Sequence, residues 1–529
     1  MSAVASAIPK QFAHMPNYKW LATATVILGM MGAVMSSTML NVAIPNIMGS
    51  FGIGQDEAHW MSTATLAAMP IMMLMNGWFV TNFGSRATYV GACVVFCVAS
   101  AIGQFMPDYY GLVAIRAIQG GCTGLLQPLT MTVIFPLFPV EERGKAMGIY
   151  GMGFIVGPAM GPTVGGLIVD HWHWQDVFGA SIPLMVLAGV MGSALLPGRN
   201  PNAKRTKLNW TSLLLITVAS ACFLTGLSNG PRFGWASANV FTLFLIAACC
   251  LAAFVGVELT TDRPLLQMRL FRFRTFTVSV LVGFVFGAGM FGSMYVLPIF
   301  AQTVLGYTAF KAGLLLMISG LLMVPIFPLG GALAQTPRSG IPISAGMFLF
   351  GVSSVVLAGA DTYVTFLFVA FWATVGRIGL SIALPALQTG AMRELPTDLL
   401  PFGAGTLNFV RMTGAAAGTN VLAIMLDHRH AIHADYLAAT QVESNVTTGM
   451  VIDQVSRLLS AGGLSDHEQA PLALSYLGKM VSGQANALAF QDAFVMLAVC
   501  FAIASIGALA LARRPTSRMV PPRTSTKSN

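Results

Sequence analysis

Three arginines interrupt long apolar segments of this 529-residue chain: Arg116, Arg377 and Arg411. An unpaired charge at the centre of a bilayer costs about 2.5–3.5 kcal/mol on insertion scales, so such a residue must face a cavity or a partner. We interpret the three arginines as lining a substrate or proton pathway. Hydrogen bonding to the carbonyl groups of neighbouring helices is the structural alternative, and the sequence leaves it open.

Neutral polar side chains occur in the same apolar segments. Ser37 and Asn41 are four residues apart, so a helix places them on one face. Together with Gln119 and Gln388 they offer donors and acceptors to a cavity. Hydrogen bonding between helices, without any substrate contact, explains these residues equally well.

The acidic residues have a different distribution, because all 19 fall in loops or at the ends of apolar segments. A proton relay usually needs an intramembrane carboxylate with a perturbed pKa, and no such group is evident. The nearest candidates for proton coupling are Glu258, Asp492, Asp176 and Asp56. Each of them is also explained as an ordinary acid at the membrane interface.

Neither a metal centre nor a nucleotide site is predicted. His428, His430 and His433 have a spacing that allows metal binding, but no cysteine is near them, and solvated histidines are the favoured interpretation. The chain contains no GxxxxGK[ST] loop, so ATP is not expected to act directly. No hydrolase constellation or cofactor motif is found, and we predict that the protein is not an enzyme and has no cofactor.

The composition is that of a membrane protein with many spans. Hydrophobic residues make up 55% of the chain and charged residues 9%, and the mean hydropathy is +0.73. Soluble domains are about 25% charged. The seven cysteines lie within apolar runs and are interpreted as packing residues.

We predict fourteen spans of about 20 residues each. The even count places both termini on the cytoplasmic side, and residues 1–20 contain no cleavable signal. With this topology 20 of the 28 lysines and arginines are cytoplasmic, which explains the net charge of +9 by the positive-inside rule and not by nucleic acid binding. The predicted spans are 21–45, 58–80, 88–107, 110–134, 146–169, 177–197, 210–229, 238–258, 275–302, 310–333, 341–359, 363–386, 404–426 and 489–512.

The fifth span contains a stripe of glycines, one every four residues, that predicts close helix packing. Two prolines on the same span are tolerated in a membrane helix. The stripe and the prolines consist of Gly153, Gly157, Gly161, Gly165, Pro158 and Pro162.

A faint internal repeat predicts two six-helix bundles separated by two extra helices. Arg116 lies in the fourth span, and Arg377 lies in the fourth of the last six. The expected divisions are a cytoplasmic N-terminus (1–20), a first bundle (21–198), a two-helix linker (199–260), a second bundle (261–512) with a long external loop (427–488) that contains two helices, and a cytoplasmic tail (513–529).

Several motifs resemble those of the major facilitator superfamily, and specifically those of the fourteen-helix drug:proton antiporters of the EmrB/QacA type. GFIVGPAMGPTVGG resembles the antiporter motif of the fifth helix, and MSSTMLNVAIPNI resembles the first helix. Further similar stretches are RAIQGG in the fourth helix and LNFVRMTGAAAG in the thirteenth. The resemblance covers nearly the whole chain, and the long loop before the last helix is similar to that of the EmrB branch.

The resemblance implies an all-α membrane protein of the bacterial inner membrane that exports amphipathic compounds, in contact with lipid, by proton antiport and alternating access. It also implies a conformational seam at the fifth helix, and a periplasmic adaptor and an outer-membrane channel as partners. Three acids typical of the family are replaced here, by Ser36, by Thr81 and by Asn209. With arginines and no acids in the core, neutral or anionic compounds are favoured. A dedicated exporter of a metabolite, fatty acid or siderophore and a non-transporting receptor or scaffold are the alternatives.

Overall fold

A computed structural model describes residues 17–139, 141–199, 206–261, 264–336, 339–361, 363–442, 445–462, 466–509 and 511. Within these ranges the chain folds into α-helices joined by short turns, with a 3₁₀ turn at Met268–Arg272. The helices are α1 Tyr18–Phe51, α2 Gln55–Leu74, α3 Asn76–Gln104, α4 Tyr109–Leu137, α5 Arg143–His171, α6 Asp176–Gly179, α7 Ile182–Leu195, α8 Trp210–Phe233, α9 Ala238–Thr260, α10 Arg274–Thr303, α11 Ala309–Met323, α12 Ile326–Leu333, α13 Gly340–Ala358, α14 Phe366–Met392, α15 Leu400–Ala439, α16 Val446–Ala461 and α17 Asp466–Leu509.

Polar side chains cap several helices where an apolar run begins. The Asp108 carboxylate accepts a hydrogen bond from Gly111 N at 2.8 Å at the start of α4, and Asn209 accepts one from Ser212 N at 3.2 Å at the start of α8. A side-chain acceptor at this position satisfies one of the backbone N–H groups that a helix leaves unpaired in its first turn. The caps therefore fix where these helices begin.

Eleven helices in the described ranges are long and apolar enough to cross a membrane, and α11 with α12, bent by 47°, gives a twelfth. The remaining two of the fourteen predicted spans are 58–80 and 110–134. The apolar part of α2 covers only Trp60–Leu74, and α4 carries Arg116 and two glutamines in its length. Length and apolarity thus account for twelve spans, and the count of fourteen stays a prediction.

The helices form two halves with the same internal packing. In the first half α1 packs along α5, α3 along α7 and α2 along α4. In the second half α10 packs along α15, α13 along α17, and α11 and α12 along α14. The second span of each half is also broken in the same way, at Met75 between α2 and α3 and at Val324 and Pro325 between α11 and α12. The order of equivalent helices supports the predicted internal repeat, whereas the exact domain limits stay predictions.

The extra helices α8 and α9 pack mainly on each other. They reach the halves through contacts of α8 with α2 and α15. The segment before α8 is fixed to α3, where Thr206 N donates to Asn82 Oδ1 at 2.9 Å and Asn82 Nδ2 donates to Thr206 Oγ1 at 3.2 Å. A neutral amide therefore occupies the position at which the resembled family usually has an arginine.

The two halves contact each other closely at one end of the bundle, which we call the closed end. There a Cβ atom added to Gly144 would lie less than 3.0 Å from the Gly331 carbonyl oxygen, and one added to Gly405 would lie as close to the Met73 carbonyl oxygen. Asn76 Nδ2 donates a hydrogen bond of 2.8 Å to Pro401 O across the same end. All the glycine contacts between the halves in the described residues lie at this end.

Residues 427–488 project from the opposite end. α15 continues to Ala439 and α17 already begins at Asp466, so that the projection consists of two extended span helices with α16 between them. The predicted break at Gly462 is the C-cap of α16. The two predicted loop helices are thus present, but the second is continuous with the last span.

Candidate functional site

Arg116 lies inside the first half and is bonded to neutral groups. Its side chain is 2% exposed. Nη1 donates to Gln119 Oε1 at 2.8 Å, and Gln119 Nε2 donates in turn to Ser100 Oγ at 2.8 Å. This chain of hydrogen bonds joins α4 to α3, and Arg116 Nε has no partner in the described part of the chain.

Arg377 occupies the equivalent place in the second half. It is 4% exposed and borders a small cavity whose other lining residues all come from α10, α13, α14 and α17. The predicted pathway residues Arg116 and Arg377 are therefore not brought together, because each is surrounded by the helices of its own half.

Arg411 lies between the two halves. It belongs to α15, and its guanidinium carbon is 4.9 Å from the ring centroid of Phe154 on α5 of the other half. Nη2 donates to Asn408 Oδ1 at 2.7 Å, whereas Nε has no partner in the residues described. A cation over an aromatic face is attracted by the ring quadrupole, most strongly where water is excluded. Among the described residues Arg411 is thus held at the interface without a carboxylate.

Two further polar side chains complete the cluster: Tyr150 faces Arg411, and Gln388 faces Tyr150. The Tyr150 hydroxyl from α5 lies beside the Arg411 guanidinium and the Gln388 amide, but the approach lacks the geometry of a hydrogen bond. Gln388 Oε1 and Nε2 and Tyr150 Oη are consequently buried and unpartnered within the described ranges. Buried polar groups are normally paired, so this cluster can accept hydrogen bonds from, and donate them to, a guest molecule.

The positions of these residues in the repeat place the cluster at the centre of the protein. Arg377 lies 261 positions after Arg116, and Gln388 lies 261 positions after Gln127. Arg411 lies 261 positions after Tyr150, so the two residues that meet are equivalent members of the two halves. Equivalent residues can touch only near the axis that relates the halves, as in a two-fold interface.

The α1 candidates are less informative. Ser37 is half-buried and donates to Ala33 O at 3.3 Å, a bond within its own helix. Asn41 lies in α1, but its side chain is outside the described part of the structure. Neither residue is shown in contact with the central cluster.

The glycine stripe of α5 requires a correction. A Cβ at Gly157 would lie 2.9 Å from Met31 O, and one at Gly165 would lie 2.7 Å from Met39 O, so the stripe packs against α1 of its own half. Gly153 and Gly161 also face α1, and the helix continues through Pro158 and Pro162. The glycines of α5 that meet the other half come before the stripe: Gly144 faces Gly331, and Gly148 and Gly151 face Phe327.

The candidate acids lie away from the cluster. Glu258 is buried and accepts hydrogen bonds from Leu265 N at 3.2 Å and Leu266 N at 3.0 Å, so it fixes the turn after α9. Asp176 accepts a bond of 2.7 Å from Gln104 Nε2. The side chain of Asp56 is not among those described.

Asp492 has the richest surroundings of the four acids. Its Oδ2 lies 2.6 Å from Arg429 Nε and 2.7 Å from His433 Nε2, at the start of the projecting segment. His433 therefore has a carboxylate partner, and the contact joins α15 to α17. An acid shared between an arginine and a histidine can hold α15 and α17 together as well as exchange a proton.

Sequence reasoning missed Tyr150 and Phe154. Both look like ordinary core residues in an apolar span, and only the constant spacing of 261 residues could have pointed to Tyr150 as the counterpart of Arg411.

Comparison with known proteins agrees with this architecture. The sequence profile described as Major Facilitator Superfamily matches residues 26–419. Multidrug export protein EmrB of Haemophilus influenzae is 26% identical over 91% of this chain and 93% of its own length. Fatty acid resistance protein FarB of Neisseria gonorrhoeae is 25% identical over 91% of this chain and 94% of its own length.

A solved structure shows the same fold. The human organic anion transporter MFSD10 (TETRAN) covers 93% of this chain and 99% of its own, with a TM-score of 0.62 and 13% sequence identity. At this identity the likeness concerns the fold alone.

Proposed function

Because the chain belongs to the major facilitator superfamily, we propose that it exports amphipathic organic compounds across the bacterial inner membrane by alternating access. The proposed path runs between the two halves, and the central cluster of Tyr150, Phe154, Gln388 and Arg411 is its binding site. The proposal rests above all on one observation: a buried arginine with an unpartnered Nε lies where equivalent residues of the two halves meet. Transporters of this kind bind substrate at the interface of their repeats, near the bilayer midplane.

The charge of the site favours neutral or anionic substrates. Removing a cation from water without a carboxylate partner is costly, so a negatively charged guest gains the interaction that the protein leaves open. The similarity to FarB is in keeping with a fatty acid or a related carboxylate as cargo, which is the dedicated-exporter alternative. The similarity to EmrB supports a broader multidrug range.

We further propose the orientation and the coupling. The closed end carries most of the basic loops, so we assign it to the cytoplasm together with both termini. The conformation described here is then the outward-facing one. We retain fourteen as the number of spans, since an even number places both termini on one side. Proton antiport is retained as the driving force, with Asp492 and His433 as the first residues to test. Residues 427–488 are the expected docking surface of a periplasmic adaptor that leads to an outer-membrane channel.

The decisive experiment compares two permanently charged substrates with one chain length. Purified protein is reconstituted in vesicles with an imposed pH gradient, and flux of decanesulfonate and of decyltrimethylammonium is measured. We expect faster flux of the sulfonate and a loss of about tenfold or more in Arg411→Gln, since 1.4 kcal/mol corresponds to a factor of ten.

Arg116→Gln serves as the control, because it also removes a buried arginine but one that lies away from the interface between the halves. Preference for the ammonium compound, or an Arg411→Gln variant as active as the unmodified protein, would refute the assignment of the site. Gradient-driven flux of neither compound would favour the receptor or scaffold alternative.

A further inference from the structure

The cavity beside Arg377 is separate from the central cluster, because none of the cluster residues lines it. It lies within the second half, between α10, α13, α14 and α17, and has a volume of about 20 Å³, which is room for one water-sized guest. Its polar lining consists of Arg377 and three serines, Ser293, Ser353 and Ser354. The rest of the lining is apolar.

The guanidinium of Arg377 has a buried hydrogen-bond donor without an acceptor beside this cavity. Its Nη2 atom is buried without a hydrogen bond in the described ranges, and no carboxylate is among the residues that line the cavity. A water molecule would accept a hydrogen bond but would leave the positive charge uncompensated in a low-dielectric surrounding, which is costly. A small anion satisfies both requirements.

The three serines suit a small anion as well. Their hydroxyl groups now donate to carbonyl oxygens of the protein, with distances of 2.8 Å for Ser293, 2.6 Å for Ser353 and 3.0 Å for Ser354. A hydroxyl can rotate and donate elsewhere. Each carbonyl oxygen but that of Trp372 belongs to the serine's own helix, where it can also take part in the backbone ladder.

The first half shows what this place looks like without a cavity. Arg116, the counterpart of Arg377, is bonded to Gln119, whereas the residue equivalent to Gln119 is Leu380. Ala373 lines the cavity, and its counterpart in the first half is the fully buried Leu112. The first half therefore gives its arginine an amide partner and fills the space with leucine, and the second half does neither.

We propose that Arg377 binds a monovalent anion of the chloride class in this cavity, held by its guanidinium and by the serine hydroxyls. The site is independent of the central cluster, because its lining comes from the second half only. Its occupant compensates the charge of Arg377 and stabilises the folded protein without being transported.

The test uses the purified full-length protein in detergent, with thermal unfolding measured in sodium chloride, sodium bromide and sodium gluconate at one ionic strength. A ligand that binds only the folded protein raises Tm in a saturable way, and we expect a rise of about 1–3 °C in either halide. Ala373→Leu fills the cavity as in the first half and should abolish the halide effect, while Arg116→Gln should retain it.

A second measurement identifies the occupant. Crystals grown in bromide should show an anomalous peak within hydrogen-bonding distance of Arg377 Nη2, and Arg377→Met should lack it. Equal Tm values of the unmodified protein in chloride and gluconate, a halide response that survives in Ala373→Leu, or a water molecule in place of bromide would each overturn the proposal.

Discussion

Replacement of Gly144 by alanine should shift the protein away from the conformation closed at this end. The added Cβ would lie far less than 3.0 Å from Gly331 O, whereas ordinary contacts of a Cβ fall between 3.4 and 4 Å, so α5 and α12 must separate by roughly 1 Å or more. Overpacking of this kind costs about 1–3 kcal/mol. Only the closed arrangement contains the contact, so the conformational equilibrium should move about 5–150-fold towards the alternative state.

Distance measurement between spin labels at Lys145 and Thr336 would detect the shift. Both side chains are exposed and lie on opposite halves at the closed end. In a background without the native cysteines, the population with the short distance should fall in Gly144→Ala and a longer distance should appear. Gly405→Ala, which meets the Met73 carbonyl oxygen across the same end, should act in the same direction.

The control for the glycine substitution itself is Gly91→Ala on α3. A Cβ at Gly91 meets nothing within 4 Å, so this variant gains helix propensity without a new contact. It should leave the distance distribution unchanged. The reasoning fails if Gly144→Ala also leaves the distribution unchanged, or if Gly91→Ala shifts it to the same extent.

Two further substitutions test other contacts. Gly157→Val should lower Tm by disturbing the packing of α5 on Met31, at a cost of about 1–3 kcal/mol, without lengthening the label distance at the closed end; a longer distance at unchanged Tm would contradict the correction made to the glycine stripe. Asn82→Ala should cost about 1–2 kcal/mol through the lost pair with Thr206, measured as thermal unfolding in detergent. Asn82→Asp keeps the acceptor for Thr206 N and should recover part of the loss, and equal effects of the two variants would argue against this hydrogen bond.

The apolar runs, the repeat and the buried arginines could be predicted because each follows from the cost of polar groups in lipid. Apolar runs of about 20 residues give the helices, and charges inside them mark unusual positions. Length and apolarity alone do not account for the last two predicted spans, because α2 ends at Leu74 and α4 is made less apolar by Arg116 and its glutamines. A span that is buried by its neighbours need not be apolar along its whole length.

The partners of the arginines could not be predicted. Nothing in the sequence near Arg411 distinguishes it from Arg377. Arg411 nevertheless faces the first half, whereas Arg377 faces a cavity within the second half. The direction of a side chain depends on how helices far apart in sequence rotate against each other, and periodicity does not record that rotation. The glycine stripe shows the same limit, since spacing predicted close packing correctly but could not identify the partner as α1.

The spacing between equivalent residues is not the same in all helices of the two halves. The 261-residue offset relates Gly153 to Gly414, and these two glycines pack on Ile27 and Phe284 respectively. Those two partners are only 257 positions apart. The second half therefore has a net four more residues than the first between its first and fourth helices, and the same number between the fourth and the fifth.

In one pair of equivalent contacts, the small residue lies on different helices in the two halves. In the first copy Gly161 faces the backbone of Met35, and in the second copy the positions equivalent to these two are Leu422 and Gly292, which also face each other. The glycine lies on α5 in the first half and on α10 in the second half, and in both halves one large and one small residue meet. Close packing of the paired helices therefore needs one small residue in this contact, and either helix can supply it.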